Sequence, residues 1–169
     1  DVSGDVEVVP PYPINADQVP IQLVSFGIEV LGGASGFSLA EASTGMALCY
    51  HGNHILIDCI PFLDSHLAAR GISKNQVRAI ILTHLHDDHC NMFPLMLATR
   101  TVEVITTREI FEMAMTKLAL ALGWRKEVVA ESFQLLEVTP GVPFQYYGME
   151  IDAHVTVHSI PTIGVTVST

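Results

Sequence analysis

Apolar residues fall into two successive patterns along the chain. From Ile21 to Ile60, β-branched and apolar runs are broken by Gly32, Gly33, Gly36, Gly45 and the Gly52-Asn53 pair, the punctuation of hairpins in an antiparallel sheet. Strands are predicted near 21–31, 36–40, 45–50 and 54–59. The pattern then switches to β-α-β: residues 64–70 read as a short helix closed by Gly71, 73–76 as a further helical turn, and 77–82 as a solid apolar strand. After residues 84–89 come a helix containing Phe93, Leu95, Met96 and Leu97, a strand over 102–106, and a helix over 108–122. On that last helix Phe111, Met115, Leu118 and Leu122 repeat at four-three-four spacing, one apolar stripe suited to core packing. A short helix over 127–132 follows, then strands over 133–138, 143–147, 149–157 and 162–168. Ahead of all this, residues 1–20 carry Pro10, Pro11, Pro13 and Pro20 among acids and few large apolar groups, which reads as an extended arm or linker, leaving 21–169 as the folded portion.

Composition narrows the class. At 169 residues, 49% hydrophobic and 15% charged, the chain has the make-up of one globular domain and not of a disordered segment. Its most apolar stretches, around 55–63 and 111–122, fall short of the roughly 18 residues that a membrane-spanning helix requires. Eighteen acids against eight bases give a formal charge of −10, and no base precedes Arg70 or follows Lys126. A backbone-tracking surface for extended nucleic acid is not expected from so acidic a chain, and an anionic substrate needs another source of positive charge. Cys49, Cys59 and Cys90, with no paired spacing, suit reduced thiols and a cytoplasmic setting. The chain does not open with Met, so it is expected to be cut from something longer.

The sharpest chemistry lies in Thr83-His84-Leu85-His86-Asp87-Asp88-His89, directly after the apolar strand. In an extended segment His84 and His86 point to the same side, and Asp88 and His89 can turn back toward them. Imidazole and carboxylate without cysteine suit zinc, iron or manganese, and the spacing suits two ions, His84 and His86 on one, Asp88 and His89 on the other. Of the remaining histidines, His51 and His54 flank the Gly52-Asn53 turn and read as solvated, and His66 reads as a helix-surface residue. His154 lies four residues before His158, on the same strand face, and reads as a surface or partly buried residue. Cys90 reads as a buried thiol at the start of the next helix.

This H-x-H-x-D-H run at a strand-loop-helix junction resembles the signature of the metallo-β-lactamase superfamily. The resemblance implies an α/β (α+β) fold, the αβ/βα sandwich with two sheets back to back and helices outside, and a dinuclear metal site along one sheet edge. Downstream, His158-Ser159-Ile160-Pro161-Thr162-Ile163-Gly164 is similar to the H-x-x-P-[ST]-x-G setting of a metal-binding histidine in the branch that includes tRNase Z and related phosphodiesterases, which makes His158 the third ligand of the first metal. Phe93-Pro94-Leu95 also looks like that branch. Asp87 stands where such proteins carry Gly, and Val165 where an aromatic often follows. Asp58, in Ile55-Leu56-Ile57-Asp58-Cys59, resembles the superfamily's early aspartate that supports the ligand loop. A bridging aspartate and a final histidine are expected beyond Thr169, so the resemblance covers the first half of the sandwich and the crossover strand.

The implied activity is that of a metallo-hydrolase in which a hydroxide bridging two divalent ions, zinc with manganese or iron as alternatives, attacks a phosphodiester, and Asp88 orients the water or accepts its proton. The expected substrate is a small-molecule or nucleotide-type ester such as a cyclic nucleotide or an RNA end; a thioester, a lactone or a β-lactam are the other ester classes, and a homodimer the oligomer considered. Two different readings stay open on the same residues. One is a di-iron redox or sensor protein, against which His86 speaks because flavodiiron-like relatives typically carry Glu there; the other is a non-catalytic metal-binding module.

Overall fold

Apolar runs become strands in two sheets. The computed structural model describes residues 9–14 and 25–169. Its larger sheet holds β1 (Phe26–Gly32), β2 (Gly45–Tyr50), β3 (Asn53–Ile57), β4 (Val77–Ile81), β5 (Val102–Thr106) and β6 (Phe133–Glu137), side by side in that order. The first three run antiparallel, and β3 through β6 run parallel. The change of sense follows from the connections. β2 returns into β3 through His51 and Gly52, whose φ values of 46° and 78° are the paired positive angles of a type I′ hairpin, so the turn sits one residue earlier than the Gly52-Asn53 pair suggested. Parallel neighbours need a longer crossover, here α1 (Leu63–Ala69) between β3 and β4, and α2 (Arg108–Leu122) with α3 (Lys126–Ala130) between β5 and β6. The smaller sheet is the antiparallel trio β7 (Phe144–Tyr146), β8 (Met149–Val155) and β9 (Ile163–Ser168).

The core lies between these layers. Ala79, Ile80 and Ile81 are consecutive in β4 and all fully buried, which requires cover on both faces of the strand. α2 supplies part of that cover through Ile110, Phe111 and Met115, and Ile151, Ala153 and Ile163 of the smaller sheet enter the same apolar cluster. The two sheets are also clasped by polar groups: the Tyr146 hydroxyl donates to Glu103 of β5, whose carboxylate lies 3.5 Å from Arg78 of β4. Burial and that bond push the Tyr146 phenol far above its ordinary value, so it stays a donor.

Some expectations change. Residues 36–40 form no strand: Ser38 accepts from the backbone N–H groups of Ala40 and Glu41, both at 3.2 Å, bending the chain into a turn that leaves Phe37 and Leu39 exposed. The segment after the motif is a 3-10 helix, Phe93–Leu97, with Pro94 in its first turn, and the backbone becomes extended at Ala98. His66 is 3% exposed and not on the surface, with Tyr12 against it, hydroxyl to Nε2 at 3.4 Å. His54 is likewise buried, because β3 is covered on both faces. The strand expected over 21–24 and the arm at 1–8 and 15–20 lie outside the described residues. Among the described residues no helix is long and apolar enough to cross a membrane.

Candidate functional site

The C-terminal ends of β3 and β4 stand side by side, and the motif loop grows from this edge. Just past β3, Asp58 adopts a left-handed conformation, φ 62°, with its N–H donating to the Ile81 carbonyl at 3.0 Å. Asp is among the residues that tolerate this sparsely populated region. The turn aims the buried carboxylate at the loop. It accepts from Thr83 N–H at 2.8 Å and Thr83 Oγ1 at 2.7 Å, and it faces His89 Nδ1 at 3.0 Å. Cys59 then clamps the returning chain, donating to His89 O at 2.7 Å and accepting from Asn91 N–H at 2.8 Å. Within the excursion, His89 N–H donates to His86 O at 3.0 Å and closes the turn. Two neighbouring residues of one strand end thus fix both ends of the loop.

Three imidazoles converge inside it. The ring of His84 lies 4.9 Å from those of His86 and His158, and the last two are 4.7 Å apart. His158 arrives from the segment after β8, held by the Ile163 N–H donating to Thr83 O at 3.0 Å. Its Nε2 is 3.1 Å from His86 Nδ1, and Ser159 Oγ is 3.3 Å from His86 Nε2. One ligand atom from each of His84, His86 and His158 lies within 4.8 Å of the others. Two nitrogens on one tetrahedral ion at about 2.1 Å each stand about 3.4 Å apart, so small side-chain adjustments bring this trio to ligand spacing. The donor chemistry fits a divalent ion. Burial, then the charges of neighbouring histidines, lower His84 below its usual value, favouring the neutral imidazole that a metal requires.

A second grouping, Asp58 with His84 and His89, meets the same spacing. Its carboxylate is already engaged by Thr83 and His89, and the His84 Nδ1 sits 2.8 Å from Thr83 Oγ1, so Asp58 is better placed to orient the loop than to ligate. The hydrogen bond to Asp58 raises His89 and directs its Nδ1 inward, leaving Nε2 facing Asp88 Oδ2 at 3.2 Å. His84, His86 and His158 therefore gather in one group, with Asp88 and His89 as a pair beside it. The other candidates stay apart: His51 and His154 are exposed, and His54 and His66 are buried elsewhere. Cys90 is half-buried and joins neither cluster; its neighbours are the Leu85 carbonyl at 3.6 Å and Lys117 Nζ at 3.0 Å.

Sequence reasoning missed several supports of this geometry. Thr83 and Ser159 stand inside the motifs without marked roles, and Lys117 is one base in the middle of a helix. Gly36 and Ser43 approach from the β1–β2 connection: Ser43 Oγ donates to Asp88 O at 3.2 Å, and a Cβ on Gly36 would overlap the Asp88 carboxylate. Gly36→Ala is therefore expected to displace Asp88 and lower the affinity of the site for a divalent ion by about 10–100-fold, as read by calorimetric titration. Wild-type affinity in this variant would show that the connection gives way instead.

The model of one protein family, described as anti-Pycsar protein Apyc1, matches residues 26–168. The chain is 30% identical over 140 residues to a cGMP-dependent 3′,5′-cGMP phosphodiesterase A of Dictyostelium discoideum, covering 82% of this chain and 16% of that protein. It is 29% identical over 157 residues to a ribonuclease Z of Mycobacterium sp. (strain KMS), covering 81% of this chain and 55% of the relative. The chain thus spans less than two thirds of either. Among solved structures, the metallo-β-lactamase fold protein YhfI of Bacillus subtilis superposes with a TM-score of 0.67 at 21% identity, over 83% of this chain and 56% of the other. The fold is metallo-β-lactamase-like, and this chain is partial relative to that structure.

Proposed function

This chain belongs to the family of the anti-Pycsar protein Apyc1, and from that premise we propose that it is a metal-dependent hydrolase of nucleotide-type phosphodiesters, with a 3′,5′-cyclic nucleotide as substrate class. The observation that carries the reading is the convergence of His84, His86 and His158 at the edge where β3 and β4 end. In this reading those three hold one divalent ion, and Asp88 with His89 the second; zinc is the ion that the all-nitrogen trio favours. When bound, such ions supply Lewis acidity toward phosphoryl oxygens and positive potential that a chain of formal charge −10 otherwise lacks. The remaining work belongs to the chain. Asp88, whose side chain is 24% exposed, orients the attacking water and accepts its proton. Asp58 keeps His89 in the tautomer that turns Nε2 outward and fixes the start of the loop through Thr83. Ser159 Oγ, beside His86, lies within reach of the site to hydrogen-bond substrate.

The test is hydrolysis of 3′,5′-cGMP and 3′,5′-cAMP by zinc- or manganese-loaded protein, with the nucleoside monophosphate separated by chromatography. Turnover that chelation abolishes and added metal restores is the expected result. A full-length parent that binds metal yet hydrolyses neither cyclic nucleotide nor bis-p-nitrophenyl phosphate would return the assignment to a binding module.

A further inference from the structure

Asp87 is the one acidic position of the motif that the proposed chemistry leaves without a role, and its partner comes from far along the chain. Lys117, in the middle of α2, brings its ammonium to three atoms of the loop at once. It donates to the Leu85 carbonyl at 2.7 Å and to Cys90 Sγ at 3.0 Å, and it pairs with Asp87 Oδ1 at 2.6 Å. An ammonium has three N–H donors, and all three are used. Although burial works against its charge, the hydrogen bonds to Asp87 and Cys90 leave Lys117 above its ordinary value, so it remains a cation. Burial holds the Cys90 thiol above its usual range, so the sulfur accepts as a neutral group.

We propose that Lys117 is a positioning residue for the metal centre, a tether from α2 that sets the shape of the 84–90 loop and hence the aim of its ligands. Leu85 lies between His84 and His86, so the direction of its carbonyl sets the peptide plane that separates the two imidazoles. Asp87 lies between His86 and Asp88 and is held from the same point, while Cys90 anchors the far end beside His89. One cation thereby grips the loop between His84 and His86, between His86 and Asp88, and just past His89. Packing holds the buried Leu85 side chain but not the Asp87 carboxylate, and an apolar cleft of about 530 Å³, lined by Phe93, Pro94, Ala114, Leu118 and Leu122 together with Lys117, opens alongside. As a mere surface ion pair the contact would contribute little, because the Asp87 side chain is 94% exposed and the Lys117 side chain 41%. Its consequence is therefore expected in geometry and not in global stability. The inference rests on the metal-centre reading above.

The experiment compares wild type with Lys117→Met, which keeps the aliphatic stem and removes the ammonium. Asp87→Asn removes only the ion pair, and Lys126→Met removes the Lys126–Glu112 pair away from the loop. Zinc affinity is measured by competition with a chromogenic chelator, cobalt(II) spectra report ligand geometry, and melting of the metal-free protein reports the fold. Lys117→Met should bind zinc about 10–100-fold more weakly, with altered cobalt bands, while its metal-free melting temperature stays within a few degrees of wild type. Asp87→Asn should show a smaller loss in the same direction, and Lys126→Met none. Wild-type affinity and spectrum in Lys117→Met overturn the proposal; should that variant fail to fold, unchanged zinc affinity in a folded Asp87→Asn overturns it equally. If the wild-type chain itself binds no zinc, the metal-centre reading falls, an outcome distinct from either.

Discussion

An Asp58→Ala chain is expected to lose about 3–5 kcal/mol of stability even without metal, measured by urea unfolding. Asp58 is 5% exposed and serves three groups, the Thr83 N–H, the Thr83 hydroxyl and His89 Nδ1. Alanine leaves those partly buried polar groups without their partner, and unmade bonds to desolvated donors weigh more than the net value of the bonds themselves. The backbone adds to the effect, because φ at this position is 62° and Asp tolerates the left-handed region better than Ala. Asp58→Asn separates the two contributions. It keeps an acceptor and the tolerance for positive φ while removing the charge that raises His89, so it should lose less stability than alanine yet still weaken metal binding. A loss under about 1 kcal/mol in Asp58→Ala would show that the loop holds its shape without this carboxylate.

The same residue shows why much of the site was legible in the sequence. The apolar run that becomes β4 has buried residues on both faces, which forces a central strand, and a central strand must end at a sheet edge where polar residues can gather. Alternation in the residues that follow places His84 and His86 on one side, and their rings do lie 4.9 Å apart. Alternation misled where no sheet partner was available: Phe37 and Leu39 imitate a strand at 36–40, but Ser38 satisfies local N–H groups with its own side chain, and Gly36 is needed for its lack of a Cβ against Asp88. Histidine burial was misjudged for a related reason. His66 occupies a position on a seven-residue helix too short to reveal an apolar face, and it turns inward beneath Tyr12. Lys117 could not be found at all, since nothing local links it to a carbonyl 32 residues earlier; only the fold brings the helix over the loop.

The second large effect is expected from His84→Ala, which should weaken zinc binding at the first ion by more than the roughly hundredfold that changes outside the ligand set produce. His84 is the most enclosed of the converging imidazoles, 7% exposed, and its ring neighbours those of His86, His158 and His89 at 4.9, 4.9 and 4.4 Å. With Nδ1 facing Thr83, only Nε2 is free to ligate, so alanine deletes one ligand outright and leaves two exposed or half-exposed histidines that cannot hold an ion alone. His154→Ala gives the contrast: that ring lies over Gly164, outside either cluster, and zinc binding should stay at the wild-type level. Acid behaviour of the metal-free chain reads the enclosure of His84 separately from its hold on metal. Because burial and neighbouring imidazoles lower His84 in the folded state, the stability tied to its neutral form is present above the unfolded value of about 6.5 and is lost as pH falls below it. His84→Ala removes that loss, so its metal-free unfolding should depend less steeply on pH between about 7 and 5 than wild type, even though its zinc affinity has collapsed. A variant that keeps tight zinc binding would place the ion elsewhere than among these three rings, and unchanged acid sensitivity would show that burial does not hold His84 neutral.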